Sequence, residues 1–257
     1  MREPKRPSPL LCRKLVRLEV VSSTNDVVRQ LAEAGWPEGT VVVAVEQTAG
    51  RGRFGRRWES PRGGLWFSLL LRPPLGREGI SVLPIVAGLA VVKALERSFD
   101  LDIELKWPND VLIKGKKVCG ILVETSFTGE VLDFVILGIG INANFDPGEL
   151  PEPLSISSTT LRAELGHDVD LDALLFSVLH ELSAYYDALL SGRGGELLKE
   201  AEERMRLPKI ARVLLGDKEL SGLAIGLASD GSLLLRAEDG HVEKIAWWEA
   251  TVIELAS

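Results

Sequence analysis

The hydrophobic pattern changes character at Pro208, and that change limits the architectures open to the chain. Beyond it, short apolar runs at residues 210–215, 219–227, 232–237, 242–247 and 251–255 follow one another closely. Gly216-Asp217, Ser229-Asp230-Gly231 and Glu238-Asp239-Gly240 punctuate them as turns. Strands this short and evenly spaced suit a small β-barrel of SH3 type. Before Pro208, strand-like runs alternate with helical ones, which an all-β fold cannot absorb. The expectation is an α+β chain in three parts: a disordered tail over residues 1–13, a main domain over 14–207 and the barrel over 208–257. The full length of 257 residues suits one medium domain plus a small one.

Within the main domain the predicted strands are residues 14–21, 40–46, 64–71, 103–107, 111–113, 118–125 and 131–141. Gly115-Lys116 reads as the tight turn between two of them. Ser23 or Thr24 caps a first helix that Gly35 and Pro37 end. Helical period recurs over residues 80–99, 158–165, 171–190 and 195–204. The mixture predicts a mixed sheet with helices.

A net charge of −7 argues against a general nucleic-acid binder, which is usually basic. Two cysteines, Cys12 and Cys119, make neither a disulfide framework nor a metal site, so a reducing cytoplasm is expected. No sequence motif points to a bound metal. No run of about 18 apolar residues is found, and no membrane span is expected. The start, MREPKRPSP, is basic and proline-rich and lacks the apolar core of a signal peptide. His167, His180 and His241 have no partner pattern that suggests a role.

Against this acidic background one segment stands apart. From Gly50 to Trp58, nine residues hold four arginines and three glycines, between two predicted strands. Ordering such a loop is costly when it is empty: glycine loses more conformational freedom than any other residue, and like charges repel. An anionic ligand relieves both problems, because guanidinium forks bind phosphate through paired, charge-assisted hydrogen bonds. The local positive charge suits a small anion better than a polymer.

Lys106-Trp107-Pro108-Asn109-Asp110 joins two strands. Pro108 restrains Trp107 to an extended conformation, and Asn109 and Asp110 can serve a turn or face a ligand. Lys117 opens the next strand, either as a solvated charge or as a compact cation for a phosphate or carboxylate. Gly120 would let a ligand lie against that strand. Gly138-Ile139-Gly140-Ile141-Asn142 places two glycines in an apolar strand, which suggests close backbone approach. It is no dinucleotide fingerprint, since the GxGxxG spacing is absent and no helix follows.

Taken in order, Ser23-Thr24-Asn25, Gln47-x-x-Gly50-Arg51-Gly52-Arg53 ending at Trp58, Gly64-Leu65-Trp66-Phe67-Ser68, the Lys106–Asp110 segment, Lys117 to Glu124 and Gly138 to Asn142 resemble the biotin protein ligases. The likeness runs from about residue 15 to the C-terminus. It implies a catalytic domain related to class II aminoacyl-tRNA synthetases plus an SH3-like C-terminal domain. It also implies two half-reactions. Biotin and MgATP give biotinyl-5′-AMP and pyrophosphate; the acyl group then passes to one lysine of a biotin carboxyl carrier protein, of acetyl-CoA carboxylase or a related carboxylase.

Residue by residue, the resemblance implies that Ser23, Thr24, Asn25 and Gln47 hold the biotin head. Gly50, Arg51, Gly52 and Arg53 belong to a loop closing over biotin and the adenylate, with Arg56 and Trp58 on the adenylate side. Trp66 is expected as an apolar wall, and Gly120 as part of the biotin site. Lys117 meets the activated carboxylate and the α-phosphate; with Arg53 and Asp110 it forms the catalytic set. Asn109 and Asn142 are adenylate contacts.

Some relatives carry an N-terminal winged helix that represses transcription; the stretch before Lys14 is too short for one, so neither DNA binding nor a membrane partner is expected. A homodimer is compatible with the family. Cys119 and the glycine-free stretch Ala246-Trp247-Trp248-Glu249-Ala250 depart from the family pattern. Two rival readings are a lipoate–protein ligase, which shares the fold and the two-step logic, and a non-enzymatic RNA-binding module using the arginines and Trp58.

Overall fold

β-Branched and aromatic runs become strands because their side chains pack well on a pleated surface. Seven of them form one sheet: β1 (Lys14–Val21), β2 (Thr40–Gln47), β3 (Leu65–Leu71), β4 (Ile103–Lys106), β5 (Asp110–Ile113), β6 (Lys116–Thr128) and β7 (Val131–Ile141). Their order is β1-β2-β3-β7-β6-β5-β4. β1 and β2 run parallel, joined through helix α1 (Thr24–Glu33); the other neighbours are antiparallel. The computed structural model describes residues 11–216 and 218–256; the first ten residues of the expected tail, and Asp217 of an expected turn, lie outside them.

The tight turn between β5 and β6 falls one residue earlier than expected. Lys114 (φ 51°) and Gly115 (φ 77°) take its two central positions. Positive φ at both is what a two-residue hairpin of matching twist requires.

Strand alternation sorts the core. Leu65, Phe67, Leu69 and Leu71 of β3 enter the main core, which they share with a long helix, α3 (Leu83–Ser98), that follows the short α2 (Arg77–Ser81). On the opposite face, Leu70 packs with Val42, Phe134 and Ile136 against Val28 and Ala32 of α1. α3 is buried almost from end to end, between the sheet and α6 (Leu171–Leu190). One helical stretch nevertheless passes a length-and-composition test for a membrane span. The helical stretch Arg77–Ser98 is long and apolar enough to cross a membrane by length and composition, with a mean hydropathy of 1.8 over an 18-residue window within it. Its burial shows why: it is the central core helix, and a helix apolar on all sides is one that protein surrounds. Short helices α4 (Leu154–Ser157) and α5 (Leu161–Leu165) precede α6, and α7 (Gly194–Arg204) follows it.

The remaining strands, β8 (Lys209–Leu215), β9 (Lys218–Leu227), β10 (Leu233–Arg236), β11 (Val242–Ile245) and β12 (Ala250–Ala256), make a second antiparallel sheet in the order β11-β10-β9-β8-β12. Trp247 was expected to end the fourth strand. It sits instead in a turn that needs no glycine, closed by the Glu249 N–H donating to the Ala246 carbonyl at 3.2 Å. Named contacts tie this sheet to the first. The Trp107 indole N–H donates to the Gly231 carbonyl at 2.8 Å, in a buried position. The Ser81 hydroxyl donates to the Asp230 carbonyl at 2.7 Å. Lys209 forms an ion pair with Glu104 of β4.

Candidate active site

On the α1 face of the large sheet, one cross-strand row runs Trp66–Gly140–Gly120–Asp110–Lys106. The next row along runs Ser68–Gly138–Leu122. Two rows containing three glycines leave a floor without side chains. The sequence suggested that Gly120 admits a ligand and that Gly138 and Gly140 allow close backbone approach; all three border the cavity. The structure adds which side chains approach them. A Cβ at Gly140 would lie 2.5 Å from Trp58 Nε1, one at Gly120 2.9 Å from the same indole, and one at Gly138 2.4 Å from Asn25 Oδ1. The glycines therefore seat Trp58 and Asn25, which in turn border a cavity of about 310 Å³.

At the α1 end of that cavity, polar side chains form a continuous network. Gln47 Oε1 accepts from the Thr24 backbone N–H at 2.8 Å and from its hydroxyl at 3.0 Å. Ser23 occupies the cap position but makes no side-chain capping bond, so Gln47 serves one of the helix's unsatisfied N–H groups in its place. The Thr24 and Ser68 hydroxyls meet at 2.6 Å, and Ser68 donates to Asn25 Oδ1 at 2.5 Å. Asn25 Nδ2 donates to Glu124 at 3.0 Å, and Gln47 Nε2 to Ser60 Oγ at 2.8 Å. Ser23, Thr24 and Asn25 are buried and, with Gln47, line the cavity. The partners Ser60, Ser68 and Glu124 were missed. Ser68 carried a signal, a lone hydroxyl inside the apolar run Leu65 to Leu71.

The arginine loop is ordered by groups within the protein. Arg51 forms a fork to Asp26, with Nη1–Oδ2 at 2.9 Å and Nη2–Oδ1 at 2.5 Å, and lies 3.7 Å from Glu124. That bonding holds the Asp26 carboxyl below the ordinary aspartate range. Arg53 donates to Asn109 Oδ1 at 3.2 Å, to the Ala250 carbonyl at 2.7 Å and to the Trp247 carbonyl. Burial pushes its pKa down to about 10, with Asp110 opposing that fall and Arg56 adding to it. The guanidinium stays charged at neutral pH. Arg57 pairs with Glu59 at 2.8 Å. Arg51, Gly52, Arg53, Arg56 and Trp58 all border the cavity.

Two expected site residues stand back from it. Gly50 does not line the cavity; a Cβ there would lie 2.4 Å from the Trp58 carbonyl and 2.8 Å from Ser60 Oγ. Its role is to let the two arms of the loop touch. Trp66 is fully buried, donates its indole N–H to the Pro61 carbonyl at 2.9 Å and packs edge-on behind Trp58, ring centres 6.2 Å apart. It supports the wall and is not the wall's surface.

At the other end, Lys117 Nζ lies 2.6 Å from Asp110 Oδ1 and 5.0 Å from the centre of a Trp58 ring. Asn109 Nδ2 donates to the Ile121 carbonyl at 2.8 Å, so the Pro108-Asn109 turn is pinned to β6 while its Oδ1 holds Arg53. Asn142 donates to the Thr159 carbonyl at 3.1 Å, which fixes the stretch after α4 against the end of β7. All four, with Gly120, border the cavity. So does Lys106, the first residue of the Lys106–Asp110 segment. Cys119, on the opposite side of β6, is fully buried, and burial pushes its thiol well up. It behaves as a small hydrophobe.

One cavity therefore joins a neutral hydrogen-bonding end to a cationic end. The first suits a polar uncharged head group, the second an activated carboxylate beside phosphates.

Comparison with known proteins agrees with that division. Residues 18–142 match the biotin/lipoate A/B protein ligase family, and residues 210–246 match the biotin protein ligase C-terminal domain. The chain is 37% identical over 236 residues to the bifunctional ligase/repressor BirA of Bacillus subtilis, covering 90% of this chain and 71% of that protein. It is 36% identical over 226 residues to the biotin–[acetyl-CoA-carboxylase] ligase of Paracoccus denitrificans, covering 85% and 92%. Its fold is similar to the Aquifex aeolicus biotin protein ligase solved with biotin and ATP. There the TM-score is 0.80 and the identity 34%, over 93% of this chain and 98% of that one.

Proposed function

The chain belongs to the biotin protein ligase family, and from that premise we propose how its own residues divide the work. The enzyme activates biotin with ATP and transfers it to a lysine of a biotin carboxyl carrier protein. In the first step the biotin carboxylate attacks the α-phosphorus of ATP. The new P–O bond forms as the bond to pyrophosphate breaks, and pyrophosphate leaves with the electron pair. In the second, the lysine amine attacks the carbonyl of the mixed anhydride, and AMP leaves.

The observation that carries the reading is the continuity of the cavity from Thr24, Asn25 and Gln47 to Arg53, Asp110 and Lys117. The ureido head of biotin is neutral and has both donors and an acceptor. The Ser23–Thr24–Asn25–Gln47 network can pair with all of them, and each left unpaired on a wrong ligand costs about 1–3 kcal/mol. Two anions must meet at the α-phosphorus, and charge then builds on its oxygens. Cations aimed there stabilise that arrangement. Lys117 and Arg53 are assigned to it, with Asp110 holding the Lys117 ammonium in place. Asn109 and Asn142 brace the adenylate end; Trp58 closes over the acyl chain and keeps water from the anhydride.

Magnesium is part of the same proposal. It binds nucleotides through one or two carboxylates plus the phosphates themselves. Asp110 is a carboxylate inside the cavity, and no cluster of three acidic, histidine or cysteine ligands occurs among the described residues. That donor set fits an ion carried by ATP, and the ion supplies charge neutralisation on the phosphates.

A cytoplasmic setting, a homodimer and the absence of DNA and membrane partners also belong to the proposal. The net charge of −7 counts against DNA and the two free cysteines fit a reducing cytoplasm, while the homodimer rests on the family resemblance alone. Incubation with biotin, ATP and a carrier domain, read by intact mass, tests the whole. One biotinyl group per carrier is expected. Lipoate added in preference to biotin, or no addition, refutes it.

A further inference from the structure

We propose that Lys106 is a second phosphate-gripping ammonium, assigned to the β- and γ-phosphates of the nucleotide and hence to the departing pyrophosphate. The inference rests on the ligase reading above and assigns a residue that reading leaves idle.

The row Gly140–Gly120–Asp110–Lys106 crosses the site from β7 to the edge strand β4. Neighbouring strands stand about 4.8 Å apart, so Lys106 begins roughly 10 Å from Gly120 along that row. Side chains alternate along β4. Ile103 and Leu105 enter the core, while Glu104 and Lys106 take the other face. Moving across the sheet from the polar network toward β4, a ligand meets Lys117, then Asp110, then Lys106. If the carboxylate and α-phosphate lie at Lys117, the rest of the phosphate chain has Lys106 next in line.

The charge pattern supports this. Asp110 lies among Arg53, Lys106 and Lys117, one carboxylate against three cations. Its carboxylate is taken by Lys117 at 2.6 Å. Glu104 is taken by Lys209, with Arg206 at 3.8 Å. Arg53 rests on carbonyl and amide oxygens. The Lys106 ammonium alone in this group has neither an ion pair nor a hydrogen bond among the described residues. A lysine in a solvated surface position would pay little for that. Lys106 borders the cavity, and burial lowers its pKa, with Asp110 opposing and Lys117 adding to the fall. A partly desolvated, unpaired ammonium is unfavourable unless a ligand completes it. A polyphosphate supplies the missing negative charge and strong acceptors in one group.

The test uses Lys106→Met, which keeps the stem and removes the charge, in three assays on the full chain. Calorimetry with inorganic pyrophosphate should show binding weakened about 10- to 100-fold relative to the unsubstituted protein. Biotin-dependent ATP–pyrophosphate exchange should fall by about 10²-fold or more. Transfer from preformed biotinyl-5′-AMP to a carrier domain contains no pyrophosphate and should change less than about twofold. Equal losses in exchange and transfer, or unaltered pyrophosphate binding, overturn the assignment. If Lys106→Met fails to fold, Lys106→Gln is read in the same three assays. Failure of the ligase reading looks different: the unsubstituted protein then shows no biotin-dependent exchange, whatever residue 106 does to pyrophosphate binding.

Discussion

Adding one methyl group to the floor of the site should unseat the loop above it. Gly140→Ala introduces no backbone strain, because Gly140 is not among the glycines with positive φ. Its Cβ, however, would lie 2.5 Å from Trp58 Nε1, against an ordinary contact of at least 3.4 Å. The indole must therefore retreat by about 0.9 Å, the difference of those two distances. Overpacking of this kind costs about 1–3 kcal/mol. Disturbing the edge-on pair with Trp66 puts about 0.5–1.5 kcal/mol more at stake. Replacing glycine by alanine returns about 0.4–1 kcal/mol through the unfolded chain. The net loss is about 0.5–4 kcal/mol, or roughly 1–16 °C in melting temperature for a chain of this size.

The decisive assay is a double-mutant cycle with Trp58→Ala, because two residues in contact reveal their coupling there. With the indole gone, the added methyl has room. Gly140→Ala should then be neutral or slightly stabilising, and the coupling should come out near 1–3 kcal/mol. An equal loss in both backgrounds, or no loss in either, refutes the claim that the glycine exists to seat Trp58.

Lys117→Ala should reduce biotin-dependent pyrophosphate release by about 10²–10³-fold while harming folding far less; near-normal release from a folded variant removes Lys117 from the chemistry. Arg53→Gly breaks the bonds to Asn109, Trp247 and Ala250, and should release biotinyl-5′-AMP early enough to label lysines on bystander proteins; retention of the intermediate for as long as in the parent counts against the lid role. Trp107→Phe leaves the Gly231 carbonyl without its buried donor and should cost about 1–3 kcal/mol in calorimetric unfolding; an unchanged transition refutes that estimate. Asp26→Asn carries a pH signature. The folded carboxyl is depressed by Arg51, so its stabilisation is present above the ordinary aspartate pKa of about 4 and fades as pH falls through the folded value. The melting-temperature gap between parent and variant should be full at pH 7 and shrink below about pH 4; a gap that widens in acid contradicts the Arg51–Asp26 pairing.

Elements were legible wherever one local rule dominated. Alternation in Lys14–Val21 and the apolar run Leu65–Leu71 gave strands whose bounds need almost no revision. Helical period through residues 80–99 located α3, yet the membrane-like length of Arg77–Ser98 escaped a search for unbroken apolar residues. The site was legible as a set of ligand-facing types and not as a set of partners. Nothing local in Gly120, Gly138 or Gly140 says that Trp58 and Asn25 fill the space above them, because those contacts span up to 113 residues of chain (from Asn25 to Gly138). Trp66 and Gly50 stand back from the cavity for a related reason. Sequence order put them in the motif, while strand alternation turned Trp66 behind the wall and loop closure put Gly50 between its two arms.

The loop's order without a ligand follows from which groups answer each arginine. Four like charges in nine residues make an ordered empty loop costly unless other groups answer them. Arg51 has Asp26 and Glu124, and Arg57 has Glu59, so two of the four charges are neutralised from outside the Gly50–Trp58 segment. Arg53 is different in kind: its acceptors are neutral oxygens of Asn109, Trp247 and Ala250. Hydrogen bonds to a charged oxygen are about twice as strong as those between neutral groups. An adenylate phosphate entering the cavity can therefore draw Arg53 away from carbonyls that cost little to release, while it cannot so readily take Arg51 from a carboxylate fork. The same loop thus contains a fixed arginine that anchors it to α1 and an exchangeable one that reports the ligand. The residue best placed to move is the one held only by neutral oxygens.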